Sequence, residues 1–464
     1  PEQLIPSLLS AMRVLTDPAE TGAVTIAMPQ DVQAEVFDWP VELFRKRVWH
    51  VRRPVPEPAA LERAVALIKA AKRPLIIAGG GTIYAGASEE LRALATATGI
   101  PVGDTQAGKG AINFDHPSAV GGVGSTGCDS GNHIADKADL IIGVGTRYSD
   151  FTTASKTQFK NPDVKFVNIN VTPFDAAKES AEMVVADARE ALAALTEALA
   201  DYRVEAAYSE EIAAEKEAWL KATERCYHLD HGPLPAQTEV FGALNELMGE
   251  EDVVINAAGS MPGDLQALWQ ARSPLQYHVE YAFSCMGYEV PAAMGVKLAR
   301  PEAEVVSIVG DGTYQMLPME LATVVQENIK VIYVLLQNYG FCSIGALSES
   351  HGSQRFGTKY RRRGEGSHLA DEQVIDGIDI AANARSWGLD VLEVHTIAEF
   401  KEAYRQAEAS DRPTMIHIET DLYGPNPPGS SWWDVPVSGV SELESTQRAY
   451  EEYLRDRKPQ RHYL

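Results

Sequence analysis

Residues 305–340 read VVSIVGDGTYQMLPMELATVVQENIKVIYVLLQNYG. Val305 to Val309 is an apolar run closed by the turn Gly310-Asp311-Gly312. Leu317 to Glu327 carries helical spacing, and Lys330 to Leu336 is a second apolar run ending in Gln337-Asn338-Tyr339-Gly340. Strand, helix and strand on this scale predict a βαβ unit with parallel strands and a right-handed crossover. Parallel strands point one way, so Asp311 and Asn338 leave the same carboxyl edge, where open α/β sheets bind ligands. A carboxylate, an amide oxygen and a backbone carbonyl are hard oxygen ligands that suit magnesium, which commonly also takes phosphate oxygens. The glycines let N–H groups approach a phosphate, and the helix that follows offers its positive end. The stretch reads as a metal–diphosphate site.

Upstream and downstream, the same alternation recurs. Ala59–Ala71, Glu89–Thr98 and Ala188–Leu199 read as helices, and Arg73–Ala78, Asp139–Val144, Lys165–Asn170 and Met183–Ala186 as strands. Strand-end glycines between such elements predict a doubly wound α/β unit over residues 46–200. No complete dinucleotide fingerprint is present: Gly79-Gly80-Gly81 is followed next by Gly86, and Gly143-Val144-Gly145 lacks its third glycine. A nicotinamide (NAD) site is therefore not expected there, and packing or turn roles are. Residues 201–234 are predicted to be a helical linker, with Val204–Tyr227 as an exposed, charged connector. A second α/β unit spans 235–424. Its strand Asp252–Asn256 runs into Ala257-Ala258-Gly259-Ser260 and a helix opening near Pro262, a second turn able to meet a diphosphate. Asp379–Trp387 is predicted helical, Met415–Ile418 a strand, and 425–464 a Pro/Gly/Ser/Trp-rich tail closed by a helix over Ser441–Arg457. The first residue is Pro1. Gln3–Leu15 reads as a helix and Ala23–Met28 as a strand; with Phe44–Pro58 as linker, 1–45 is expected to be the tail of a domain whose body lies elsewhere.

The chain has 464 residues, 45% of them hydrophobic, enough for two or three cores. Its net charge of −24 argues against a nucleic-acid partner. The one basic cluster, Arg361-Arg362-Arg363 with Arg355 and Lys359, lies in a Gly-rich stretch and is expected to be solvated. No apolar run reaches membrane-spanning length and no secretory signal is read, so no membrane partner and a cytoplasmic location are expected. Cys128, Cys226, Cys285 and Cys342 have no metal-ligand spacing and are expected to be reduced thiols. GxSxG, HExxH and CxxC are absent, which leaves serine-hydrolase and zinc chemistry without a motif.

Gly310-Asp311-Gly312, then twenty-five residues, then Asn338, resembles the signature of the thiamine-diphosphate superfamily that includes acetolactate synthase and pyruvate decarboxylase. One departure is visible: Gln337 stands where the superfamily usually has the first of two Asn residues. The resemblance implies thiamine diphosphate and Mg2+ as cofactors, with Asp311, Asn338 and the Gly340 carbonyl as metal ligands. It further implies cofactor contacts from Gly259, Ser260, Ser284, Met286, Gly312 and Thr313. Met286 takes the bulky apolar position that props the cofactor into a bent shape, and the Ser284 carbonyl faces its aminopyrimidine ring. It also implies a glutamate from a pyrimidine-binding domain that activates the cofactor. That domain's last helix and strand resemble residues 3–28, so its glutamate is expected upstream of Pro1. None of Glu2, Glu20 or Glu35 matches it, and the chain alone is expected to hold the diphosphate and to lack that acid. Sites in the superfamily form between subunits, which implies a homodimer or homotetramer.

Three further stretches, Asp17-Pro18-Ala19-Glu20-Thr21-Gly22, Tyr281 to Glu289 (YAFSCMGYE) and Gly352 to Thr358 (GSQRFGT), resemble the branch that opens a cyclic 1,2-dione in inositol catabolism. The implied reaction is hydrolysis of the C–C bond between two adjacent carbonyls, with water as acceptor and 5-deoxyglucuronate as product. His278 and His351 are candidate acids or bases there, although each alone is more often structural; His228 and His231 suggest nothing beyond a linker. Trp432 and Trp433 belong to a tail that either closes over substrate or packs as a surface arm. The alternatives are an acetolactate-type carboligase or 2-oxo acid decarboxylase and, from a different class, a non-catalytic thiamine-binding scaffold.

Overall fold

The computed structural model describes residues 1–361 and 378–462. Two six-stranded, all-parallel sheets organise the chain. The first holds β1 (Pro74–Ala78), β2 (Val102–Asp104), β3 (Ala119–Gly122), β4 (Leu140–Val144), β5 (Lys165–Asn170) and β6 (Glu182–Val185), in the order β3-β2-β1-β4-β5-β6. The second holds β7 (Val253–Asn256), β8 (Tyr277–Val279), β9 (Val305–Gly310), β10 (Ile332–Gln337), β11 (Asp390–Val394) and β12 (Thr414–Glu419), in the order β11-β12-β10-β9-β7-β8. Both are doubly wound α/β sheets, as the alternation predicts.

The central strands of the second sheet show why continuous apolar runs become parallel strands. Val306, Ile308, Ile332, Val334 and Leu336 enter one core, while Val305, Val309, Val331, Tyr333 and Leu335 enter another on the opposite face. Successive side chains point to opposite faces, so helices on both sides require apolar residues at every position. Each fully buried Val, Ile or Leu contributes about 1.5–3 kcal/mol. Ser307 is tolerated here because its hydroxyl donates to the Glu289 carbonyl oxygen at 3.0 Å.

Four expectations change. Ala23–Met28 forms no strand; its backbone finds no ladder partner among the described residues, and an isolated extended segment cannot satisfy its N–H and C=O groups. The helix predicted over Leu317–Glu327 is Glu320–Gln326, because Asp311–Tyr314 forms a short helix of its own and Pro318 lacks the N–H that would join the two. The connector 204–227 is exposed on one side only. Its helix, Ala206–Tyr227, buries Tyr208 and Ile212 in the first core and Trp219 and Tyr227 in the second. Arg355 and Lys359 are not freely solvated: Arg355 pairs with Glu349 at 2.7 Å and lies 4.6 Å from the Tyr423 ring centroid, and the Lys359 ammonium donates to the Tyr423 hydroxyl at 2.7 Å. Arg362 and Arg363 lie outside the described residues. Among the described residues no helix is long and apolar enough to cross a membrane.

The tail returns to the first sheet's unit. Trp433 donates to Asp150 at 2.8 Å and stacks near Phe151, while Arg461 donates to the carbonyls of Phe159 and Asn161 at 2.9 and 2.7 Å.

Candidate cofactor site

Pairing of β9 with β10 runs to Leu336 opposite Gly310, so Asp311 and Asn338 leave the sheet on neighbouring strand tips. The Asp311 carboxylate, 1% exposed, accepts from the backbone N–H groups of Asn338 (3.2 Å) and Tyr339 (2.6 Å). Burial pushes its pKa up to about 6, opposed by N–H donation from Tyr339, Gly312, Asn338 and Gly340. Among the described residues it makes no ion pair. Beside it the Asn338 side-chain oxygen is buried without a hydrogen-bond partner. A buried acceptor with no donor costs about 1–3 kcal/mol, which a cation would offset. The donor set therefore fits a hard divalent ion: a carboxylate short of positive charge and an amide oxygen short of a donor. Among the described residues no cluster of three His, Cys, Asp or Glu side chains could hold a metal, so a transition-metal site has no support there.

The loop carrying Asn338 is held from behind. Tyr339 adopts φ +61°, which turns the chain so that Gly340 follows against the segment Thr358–Tyr360. Phe341 N–H donates to the Thr358 carbonyl at 2.7 Å, and Tyr360 N–H to the Tyr339 carbonyl at 2.8 Å. A Cβ on Gly340 would lie 2.1 Å from the Thr358 carbonyl oxygen, so only glycine allows this approach.

β7 delivers the second turn. Gly259 has φ +93° with nothing within 4 Å of a would-be Cβ, an open cradle beneath the helix Met261–Leu268. The Ser260 hydroxyl exchanges hydrogen bonds with Gln237 at 3.2–3.3 Å, and Gln237 also donates to Asp264 at 2.6 Å. Burial raises the Asp264 pKa to about 7. The first sheet's unit fixes this helix: Gln106 donates to the Pro262 carbonyl at 2.6 Å and Thr126 to Gln266 at 2.5 Å. Trp219 and Tyr227 donate to the carbonyls of Ala267 and Leu268 at 2.8 and 2.7 Å, covering acceptors left free at the helix end.

A third loop, residues 280–289, follows β8. Ser284 sits at φ +51° and Met286 is 36% exposed, so both lie at the surface of the loop. Glu280 accepts from the N–H groups of Phe283 and Cys285 at 3.4 and 2.6 Å. Gly287 N–H donates to the Thr313 hydroxyl at 2.6 Å, which ties this loop to the Asp311 turn. Gly312 itself is packed by the Phe341 ring. Tyr314 is core, with its hydroxyl on Asn383 at 2.9 Å. His278 meets the Tyr288 hydroxyl at 2.7 Å, and burial lowers its pKa. His351 lies elsewhere, its ring on the Leu347 carbonyl at 2.8 Å beyond the end of the helix Cys342–Ser350. His231 pairs with Asp421 at 2.8 Å and His228 with Glu246 at 3.0 Å.

Glu2 pairs with the Pro1 amine at 3.3 Å, and Glu20 and Glu35 are exposed. The carboxylates that do meet this edge, Asp311, Asp264, Glu280 and Glu289, all come from the second sheet's unit.

Sequence reading missed Gln237 and Gln266, and the backing role of Thr358 at the end of GSQRFGT. No motif marks these roles, because each rests on contacts between segments far apart in the chain.

Residues 61–195 match the central domain of thiamine pyrophosphate enzymes, and residues 257–418 match their C-terminal, thiamine-pyrophosphate-binding domain. The whole chain aligns at 43% identity with 76% of a 3D-(3,5/4)-trihydroxycyclohexane-1,2-dione hydrolase from Bacillus cereus strain AH820. It aligns equally, at 43% and over the same shares, with relatives of that name from Bacillus anthracis and from Bacillus thuringiensis strain Al Hakam. With two matched domains and relatives this similar across its length, the chain belongs to the thiamine pyrophosphate enzyme family.

Proposed function

We propose that the chain holds magnesium through Asp311, Asn338 and the Gly340 carbonyl, and that the site it builds opens 3D-(3,5/4)-trihydroxycyclohexane-1,2-dione hydrolytically to 5-deoxyglucuronate, a step of inositol breakdown. The observation that carries the metal reading is the buried, unpartnered Asn338 oxygen beside the Asp311 carboxylate. The substrate is the compound in the names of its relatives. When bound, thiamine diphosphate supplies a carbon nucleophile that adds to carbonyl carbon.

The chain's own residues position and shield. The Gly259-Ser260 turn leaves backbone space for a diphosphate, Met286 offers an apolar prop and Ser284 a backbone carbonyl. Net, one water is added, the bond between the two carbonyl carbons breaks, and a carboxylate and an aldehyde result. His278 is better placed than His351 to handle a proton, since it reaches Tyr288 on the loop that carries Met286. Exposed Phe283, Met316, Met319 and Phe356 support a homo-oligomer in which a second copy covers this face. Four unpaired cysteines support a reducing, cytoplasmic location.

Incubation with the cyclic dione, and separately with pyruvate, under saturating magnesium and thiamine diphosphate tests the reading. Ring opening without carbon dioxide release from pyruvate is expected. Carbon dioxide at comparable efficiency would replace it with a carboligase or decarboxylase. Tight cofactor binding with neither reaction would favour a scaffold.

A further inference from the structure

Glu289 follows directly on the loop that carries Ser284 and Met286, at the start of the helix Glu289–Ala299, and is 0% exposed. Burying a carboxyl is costly unless it is paired or hydrogen-bonded. Among the described residues, no Lys, Arg or His forms an ion pair with it. Its partners are instead drawn from separate segments. The Gly287 N–H donates to Oε2 at 3.0 Å, and the Thr313 hydroxyl lies 3.1 Å from Oε2 and 3.3 Å from Oε1. The Ala258 N–H, on the turn that leads into Gly259-Ser260, opposes the rise that burial imposes on the Glu289 pKa. The Glu289 carbonyl also accepts from Ser307 on β9. One side chain thus bonds both the turn after β9 and the loop between β8 and its following helix.

We propose that Glu289 is a positioning residue that sets the distance between the two ends of the cofactor cradle, and this rests on the site assignment above. The turns after β7 and β9 face the diphosphate, whereas the Ser284–Gly287 loop faces the ring end. A single carboxylate bonded to the Thr313 turn and to the Gly287 loop transmits the placement of one end to the other. Gly287 supports the same reading: at φ +91°, with a Cβ that would lie 2.7 Å from Leu317, it lets its N–H reach both Thr313 and Glu289. Glu289 itself need not touch the cofactor.

The test compares two ligands on the full chain in magnesium buffer: thiamine diphosphate, which spans both ends, and inorganic pyrophosphate, which occupies one. For Glu289→Gln, thiamine diphosphate affinity is expected to fall about tenfold while magnesium pyrophosphate affinity stays within about twofold. Loss of both affinities together, or of neither, would overturn the proposal, because a merely structural role cannot separate the two ligands. If Glu289→Gln yields no folded protein, Glu289→Asp, which keeps the carboxylate but shortens its reach, is read by the same two titrations with the same criteria. Asp311→Ala is the companion variant. If it leaves both affinities intact, the site assignment itself fails; if it abolishes both while Glu289→Gln changes nothing, only the positioning role fails.

Discussion

The two sheets reverse strand order at comparable points, yet their carboxyl edges do different work. In the first sheet the reversal lies between β1 and β4, and glycines fill it. A Cβ on Gly79 would lie 2.3 Å from the Gly145 carbonyl oxygen, and one on Gly145 2.6 Å from the Gly81 Cα. Backbone packs on backbone there, and the glycines that resemble a nucleotide loop are used for closure. In the second sheet the reversal lies between β7 and β9, and Gly259 faces open space while the Asn338 side-chain oxygen beside Asp311 has no partner. Topology marks where a ligand can sit. The side chains and spare volume at that edge decide whether one does.

The contrast can be broken most forcefully at Asp311. Asp311→Ala should lower thiamine diphosphate affinity in magnesium buffer on the order of a hundredfold, read by calorimetric titration. Unchanged affinity would remove the metal site and the contrast with it. Gly145→Ala probes the other edge: it forces an L side chain to φ +59° against Gly81 and should cost about 2–3 kcal/mol in denaturant unfolding. Cofactor affinity of the folded fraction should be unchanged, and a large loss would show that the first edge is coupled to the site. Asn338→Leu sharpens the orphan argument. Removing an unpaired buried amide should raise the stability of the metal-free chain by about 1 kcal/mol while weakening magnesium-dependent binding. A destabilised metal-free chain would mean that the amide has a structural partner. The smallest effect is expected at Gly259→Ala, about 0.5–1 kcal/mol in stability from its positive φ, with weaker pyrophosphate binding as the added methyl enters the cradle. Undiminished pyrophosphate affinity would place the diphosphate elsewhere.

Most strands of the second sheet and the ligand-bearing turn were legible because β9 and β10 are apolar at nearly every position and end on Gly-Asp-Gly and Gln-Asn-Tyr-Gly. Strands β2, β3, β8 and β11 were not: Val102–Asp104 and Tyr277–Val279 are too brief to show a period, and Asp390–Val394 carries two acids in five residues. The helix Ala206–Tyr227 misled for a related reason. Its surface charges are real, but Tyr208, Ile212, Trp219 and Tyr227 lie on a face whose burial depends on two sheets that the helix itself cannot reveal. Ala23–Met28 is not a strand among the described residues, because a strand exists only with a neighbour and none of them pairs with it.

Local chemistry placed Asp311 and Asn338 together, since a carboxylate and an amide at the ends of two neighbouring parallel strands are adjacent whatever else the chain does. Tertiary packing settled the rest: that Asn338 has no donor, that Thr358–Tyr360 backs the Asn338 loop, and that Glu289 bonds two segments at once. Those facts depend on which distant residues are absent or present within about 3 Å of an atom, a distance over which hydrogen bonds form and fail. Chain order carries no record of such distances.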